Sequence, residues 1–194
     1  MSATHLLYLH GFRSSPQSLK ARTMALHVQV HHPDLTWWCP QLPASPAQAI
    51  ALLLAGTADW PQDRMAVMGS SLGGFYAAWL SAHLACPAVL INPVVHPARD
   101  LARHIGAHPV WQDPAQSIFF TPAHVQELAE LENRPWPALA NTWALIAKGD
   151  EVLDWREMWD RHRGGRVRLI EGSDHALSDF DQHLPQILDF LQLA

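Results

Sequence analysis

The chain reads as an α/β protein with a mostly parallel sheet of about six strands and helices on both faces. Three observations predict this. Short continuous apolar runs of about four to six residues recur along the sequence and suit strands buried on both sides. Helical patterns separate them, as parallel pairing requires. No repeat, low-complexity tract or linker divides the chain, so its 194 residues are expected to form one domain, residues 1–194, with a sizeable core.

Each element has a local reason. His5 to Leu9 is the first strand, ending in His10-Gly11-Phe12. Ser15 as N-cap and Pro16 at the first helical position open a helix to about Val28. Leu35 to Cys39 is the second strand. Ser45-Pro46-Ala47-Gln48 is a capping box before the apolar helix Ala49 to Ala55. Met65 to Met68 is a third strand, Leu72 to His83 a helix rich in small residues, and Ala88 to Ile91 a fourth strand closed by Asn92-Pro93. Thr142 to Ala147 and Val167 to Ile170 are the last strands, with helices at Asp154 to Arg161 and Ser178 to Leu193.

Residues 94–140 break the rhythm, being too long for a simple crossover. They hold one amphipathic helix, Pro122 to Glu132, capped by Thr121, together with Trp111, Phe119, Phe120 and Trp136. An insertion after the fourth strand of a parallel sheet lies at its carboxyl edge, where ligands bind. It is expected to form a small lid over a pocket.

The strongest chemical signal is Gly69-Ser70-Ser71-Leu72-Gly73, a G-x-S-x-G sequence between a strand and a helix. Such a turn is sharp and strained, and glycines at −2 and +2 avoid collisions. Ser70 is a serine too, but only Ser71 has both glycines, so Ser71 is the candidate nucleophile. A serine needs a base. In an α/β-hydrolase the order is Ser, acid, His, each after a later strand. His175, in Gly172-Ser173-Asp174-His175-Ala176, falls in the loop where the base belongs. Gly149-Asp150-Glu151-Val152-Leu153-Asp154 offers three carboxylates after the fifth strand. Asp154 competes as a helix cap, forming a D-x-x-E box with Glu157. Glu151 would turn away from the strand axis. Asp150 is preferred, with Asp154 next. The oxyanion needs two backbone donors: Leu72 N–H, and Phe12 N–H after Gly11, which permits close approach. His10 either braces this loop or touches substrate. Trp111, Trp136 and Trp155 are candidate linings of an acyl pocket, whereas Trp37, Trp79 and Trp143 read as core.

Charge and composition narrow the classes. Hydrophobic residues make up 48% and charged residues 16%, which excludes disordered and fibrous chains. The net charge of −5 argues against nucleic acid or an anionic membrane as partner. No apolar run approaches a membrane span, and the start of the chain lacks a signal-peptide pattern. Cys39 and Cys86 are expected to be reduced, and a cytoplasmic location follows. His31-His32 would point apart in a strand, and no His pair has zinc spacing, so no metal or organic cofactor is expected. Arg156, Arg161, Arg163, Arg166 and Arg168 read as a solvated face, with an anchor for an anionic substrate handle as the other reading.

Several blocks together resemble a known family. His10-Gly11-Phe12-Arg13-Ser14-Ser15-Pro16-Gln17-Ser18-Leu19-Lys20-Ala21 resembles the opening signature of the YqiA-like bacterial esterases, small members of the α/β-hydrolase superfamily. Gly69-Ser70-Ser71-Leu72-Gly73-Gly74-Phe75-Tyr76-Ala77 is similar to that family's nucleophile elbow. Ile91-Asn92-Pro93 and the blocks at 149–154 and 172–176 follow in the same order. The resemblance implies a serine esterase acting on carboxylic ester or thioester bonds, with Ser71, Asp150 and His175 as the triad. The partner would be a small-molecule acyl ester or thioester. The alternatives are a catalytically silent binding protein on the same scaffold, or an acyltransferase using the same three residues.

Overall fold

The computed structural model describes residues 3–133 and 140–193. Trp136 lies outside the described residues. In chain order the strands are β1 (His5–Leu9), β2 (Thr36–Trp38), β3 (Met65–Ser70), β4 (Ala88–Ile91), β5 (Gly106–Val110), β6 (Asp113–Phe120), β7 (Thr142–Ala147) and β8 (Arg166–Ile170). The helices are α1 (Leu19–His31), α2 (Pro46–Gly56), α3 (Leu72–Leu84), α4 (Pro97–Leu101), α5 (Pro122–Asn133), α6 (Trp155–His162) and α7 (Phe180–Leu191).

Six strands form one parallel sheet in the order β2-β1-β3-β4-β7-β8. Alternate residues of each strand enter two cores. Leu6 and Tyr8 of β1 pack with Met24 and Val28 of α1 and Ile187 and Leu191 of α7. Leu7 and Leu9 pack on the other face with Ile50 and Leu53 of α2 and Phe75 of α3. Burial on both faces explains why the inner strands read as nearly unbroken apolar runs. The order reverses between β1 and β3, and the loops leaving those two strands flank the crevice that such a reversal opens. No helix among the described residues is long and apolar enough to cross a membrane.

Several boundaries differ from expectation. Residues 15–18 form a turn closed by Ser18 N–H to Ser15 O at 3.0 Å, so α1 begins at Leu19 rather than at Pro16. His31 ends α1 and His32 caps it, so neither sits in a strand. The α7 helix is shorter than expected and includes Pro185. Residues 94–140 contain the expected helix, now α5, and also a hairpin of β5 and β6 that no alternation announced. The hairpin's exposed residues and its internal Pro109 and Pro114 hide the period of two.

The capping box at α2 also differs. Ser45 Oγ accepts from Gln48 N–H at 3.2 Å, as expected, but it donates to Glu127 Oε2 of α5 at 2.7 Å. The same oxygen accepts from Ala47 N–H at 3.0 Å. A carboxylate from the insertion thus serves the positive end of α2. Ser45→Ala and Glu127→Ala are expected each to cost about 1 kcal/mol of unfolding free energy. The double variant should lose less than the sum, which urea titrations of all four proteins would measure.

Candidate active site

The chain passes from β3 to α3 through a single residue. Ser70 ends the strand, Leu72 begins the helix, and Ser71 between them has φ 58° and ψ −122°. A β-carbon on Gly69 would stand 2.1 Å from Gly73 O, and one on Gly73 would stand 2.1 Å from Leu9 O. The two glycines therefore let the turn close on itself and on β1; neither contact is with the serine side chain. Ser71 N–H donates to Ile91 O at 2.9 Å, and Ser71 O accepts from Gly74 and Val94 N–H at 2.9 and 3.2 Å.

The three side chains expected from sequence meet at the carboxyl edge. His175 Nε2 lies 3.1 Å from Ser71 Oγ, and His175 Nδ1 lies 2.7 Å from Asp150 Oδ2. With Asp150 accepting at Nδ1–H, Nε2 is left as the acceptor for the serine hydroxyl. The Asp150 side chain is fully buried. Its other oxygen accepts from Val152 and Leu153 N–H, each at 2.8 Å. Asp154 instead caps α6 through Arg156 N–H at 2.9 Å. Glu157 does not close the expected box; it binds the Arg99 guanidinium at 2.6 and 2.8 Å. Arg99 holds the Glu157 carboxyl below its usual range.

The start of α3 and the loop after β1 both lie beside Ser71. Leu72 is the first residue of α3, so its N–H has no intrahelical acceptor. A β-carbon on Gly11 would stand 3.2 Å from Ser71 Cβ and 3.6 Å from its Oγ. The loop bearing Phe12 thus lies directly against the serine. His10 lies behind the same loop. Its Nε2 accepts from Leu42 N–H at 3.1 Å, leaving Nδ1–H to donate to Gly11 O at 3.0 Å. Burial keeps its pKa below the ordinary value. Both nitrogens serve the backbone, and His10 is not among the residues lining the cavity, as the bracing reading expects.

Ser71, Leu72, Gly11, Phe12 and His175 line one cavity of about 630 Å³, within the usual range for small-molecule sites. Trp111 lines it too. Trp155 does not: its ring lies beneath Arg156, 4.6 Å from the guanidinium carbon, and packs on the core. The insertion closes one side. Trp111 N–H donates to Arg13 O at 2.8 Å, Arg13 Nε donates to Pro109 O at 3.2 Å, and Phe12 stacks edge-on against Phe120 at 5.2 Å. Among the described residues, no group of three His, Cys, Asp or Glu could hold a metal ion. Burial raises both thiols, Cys39 to about 12 and Cys86 to about 11.

Sequence reasoning missed the supports of the His175 loop. Asn92 is fully buried at φ 40°. Its Nδ2 donates to the carbonyls of Asp174 and His175, both at 3.0 Å, and its Oδ1 accepts from Ala147 N–H at 2.8 Å. Glu151 accepts from His175 N–H at 3.0 Å, and Lys20 Nζ donates to Ala176 O. The position of Asn92 after a strand, in a left-handed conformation that Asn tolerates, was the one available signal.

The comparisons with known proteins agree with this architecture. A model of the family described as "Uncharacterised protein family (UPF0227)" matches residues 5–192. A putative hydrolase from Agrobacterium vitis S4 superposes with a TM-score of 0.75 at 16% identity, covering 98% of this chain and 91% of that one. Est1E from Butyrivibrio proteoclasticus, solved with ferulic acid bound, gives 0.67 at 10% identity over 98% and 87%. The Pyrococcus furiosus esterase Pf2001 gives 0.65 at 16% identity over 98% and 82%. At these identities the likeness shows the α/β-hydrolase fold.

Two outcomes follow from the supports. Asn92→Ala leaves a buried N–H and two half-buried carbonyls without their partner, and is expected to cost about 2 kcal/mol or more in urea unfolding. Burial pushes the Lys20 ammonium down to about 8, against the attraction of Asp174. A lysine lowered by folding is protonated more in the unfolded chain, so its contribution to stability rises with pH from about 8 to its unfolded value near 10.5. The unfolding free energy of wild type minus that of Lys20→Met should increase across that window.

Proposed function

We propose that this chain, which belongs to the UPF0227 (YqiA-like) family, is a serine hydrolase that cleaves small-molecule carboxylic esters or thioesters. The observation that carries this reading is the hydrogen-bonded line from Ser71 Oγ through His175 to buried Asp150, at 3.1 and 2.7 Å, opening on a cavity with unpaired helix-terminal N–H groups. Structural neighbours named esterase and hydrolase support it.

In the first half-reaction Ser71 Oγ attacks the acyl carbonyl while His175 Nε2 takes its proton. The carbonyl oxygen gains charge and rests on Leu72 N–H and Phe12 N–H. Asp150 fixes the tautomer and stabilises the imidazolium. His175 then protonates the departing alcohol or thiol, leaving an ester on Ser71. Water enters, gives a proton to His175 and attacks the acyl-enzyme; collapse releases the acid and returns the proton to Ser71. No metal or organic cofactor takes part. The pocket distinguishes neighbouring acyl lengths weakly, because one methylene is worth about 1–3 kcal/mol.

Labelling with a fluorophosphonate followed by peptide mass spectrometry tests the reading without a guess at substrate. One adduct on Ser71, lost in His175→Ala, is expected. Ser71→Ala and Asp150→Asn should each lower 4-nitrophenyl butyrate turnover about 10³–10⁴-fold, while Asp154→Asn stays within a few-fold. An adduct on Ser70, or a larger loss from Asp154→Asn, would overturn the assignment.

A further inference from the structure

The cavity that holds Ser71 is lined by three cations, Arg13, Lys20 and Arg103. None of the ion pairs among the described residues involves them. The carboxylates on the same lining are already engaged: Asp100 binds Arg99 at 2.8 Å, and Glu151 accepts from His175 N–H. In a chain of net charge −5, unpaired cations gathered in one concavity are the exception.

Two of them converge on the insertion side. The Arg13 guanidinium lies over the Trp111 ring at 4.0 Å, and its Nε donates to Pro109 O. Stacking and one hydrogen bond hold the fork in place with its two terminal nitrogens to spare. Arg103 Nε donates to His104 Nε2 at 3.3 Å, and His104 also lines the cavity. Burial, and after it the charges of Arg103, neighbouring His108 and Arg13, hold the His104 pKa below the ordinary value. Arg13 moreover sits at φ 60°, where Gly or Asn would be unstrained. An arginine kept there argues for its side chain rather than for the turn.

We propose that this pocket selects esters carrying an anionic oxygen group, a carboxylate or a phosphate, which Arg13 and Arg103 bind on the insertion side while the acyl carbonyl lies at Ser71. The inference rests on the hydrolase reading and names the substrate class of the same site. Planar guanidinium forks suit both anions, and a bound anion relieves the mutual repulsion of the two arginines around His104.

Matched ester pairs test it. One pair is 4-nitrophenyl butyrate against the mono-4-nitrophenyl ester of glutaric acid, with the anion on the acyl side. The other is the butyrate ester of 1,3-propanediol against that of 3-hydroxypropyl phosphate, with the anion on the alcohol side. In at least one pair the charged member should have a kcat/KM about tenfold higher at low salt, a preference of the size one charge-assisted hydrogen bond supplies. That ratio should fall toward one in Arg103→Gln and Arg13→Gln and be restored in part by Arg103→Lys. Equal rates within both pairs, or a preference untouched by either glutamine variant, would overturn the inference and leave the hydrolase reading standing. If no ester of any kind is turned over, the hydrolase reading falls. Calorimetry with glutarate and with inorganic phosphate then still decides the anion site: saturable binding to wild type that Arg103→Gln abolishes supports it, and no binding refutes it.

Discussion

The rest of the site depends on one backbone conformation, that of Ser71. With no loop between β3 and α3, the chain reverses at a single residue whose φ of 58° and ψ of −122° an L-amino acid adopts at a cost of about 1–3 kcal/mol. The reversal holds because its surroundings over-determine it: Ile91 O takes the Ser71 N–H, and the Ser71 carbonyl receives Gly74 and Val94. In return the hydroxyl stands at the end of a central strand and at the positive end of a helix. Asp150 and His175 need only arrive at the same edge, which β7 and β8, lying further along the same parallel sheet, bring about. Asn92 then joins three neighbouring chain segments, because one carboxamide binds the end of β7 and the loop of His175. The line from Ser71 to Asp150 is thus a property of the sheet's edge rather than of three separate loops.

How much of this was legible follows from where the signal is local. The four inner strands β1, β3, β4 and β7 were readable because nearly every residue in them is buried, on both faces of the sheet, whereas the edge strands β2 and β8 are only partly buried. Gly69 and Gly73 were readable because a close approach demands the absence of a β-carbon. The choice of Asp150 over Asp154 followed from competition for one role, since Asp154 had a helix to cap and does cap it. What stayed hidden depends on partners distant in sequence. Glu127 serves α2 across 80 residues, and Glu157 leaves its own helix end for Arg99. His10 was ambiguous because a histidine in that loop reads alike whether its nitrogens meet backbone or ligand; its partner Leu42 N–H is brought to it only by the fold. The β5–β6 hairpin has few buried residues, so no period of two could show.

The insertion is not a passive cover. Its hairpin tip exchanges two hydrogen bonds with Arg13, the residue after Phe12, and Phe120 packs on the Phe12 ring. The loop that bears one proposed oxyanion donor is therefore held from behind by His10 and from above by residues 106–120. Displacing the hairpin would move the donor as well as open the cavity, so access and the geometry of Phe12 N–H are coupled through the same contacts.

The distribution of backbone strain points the same way. Among the described residues, six other than glycine have positive φ: Arg13, Ser71, Ala85, Asn92, Leu177 and Gln192. Ala85 and Gln192 end α3 and α7 in the left-handed conformation that commonly closes helices. The other four all follow the carboxyl ends of β1, β3, β4 and β8, at the edge where Ser71, Asp150 and His175 meet. Strained residues persist where neighbours hold them and where an unstrained alternative would forfeit something. At Ser71 the alternative forfeits the hydroxyl's position, and at Asn92 it forfeits the carboxamide bridge. At Arg13 a glycine would ease the turn and lose only the side chain, so the strain there is evidence about the guanidinium itself. That side chain holds the hairpin through Pro109 O and Trp111, and its two terminal nitrogens are the part of it that these contacts leave over.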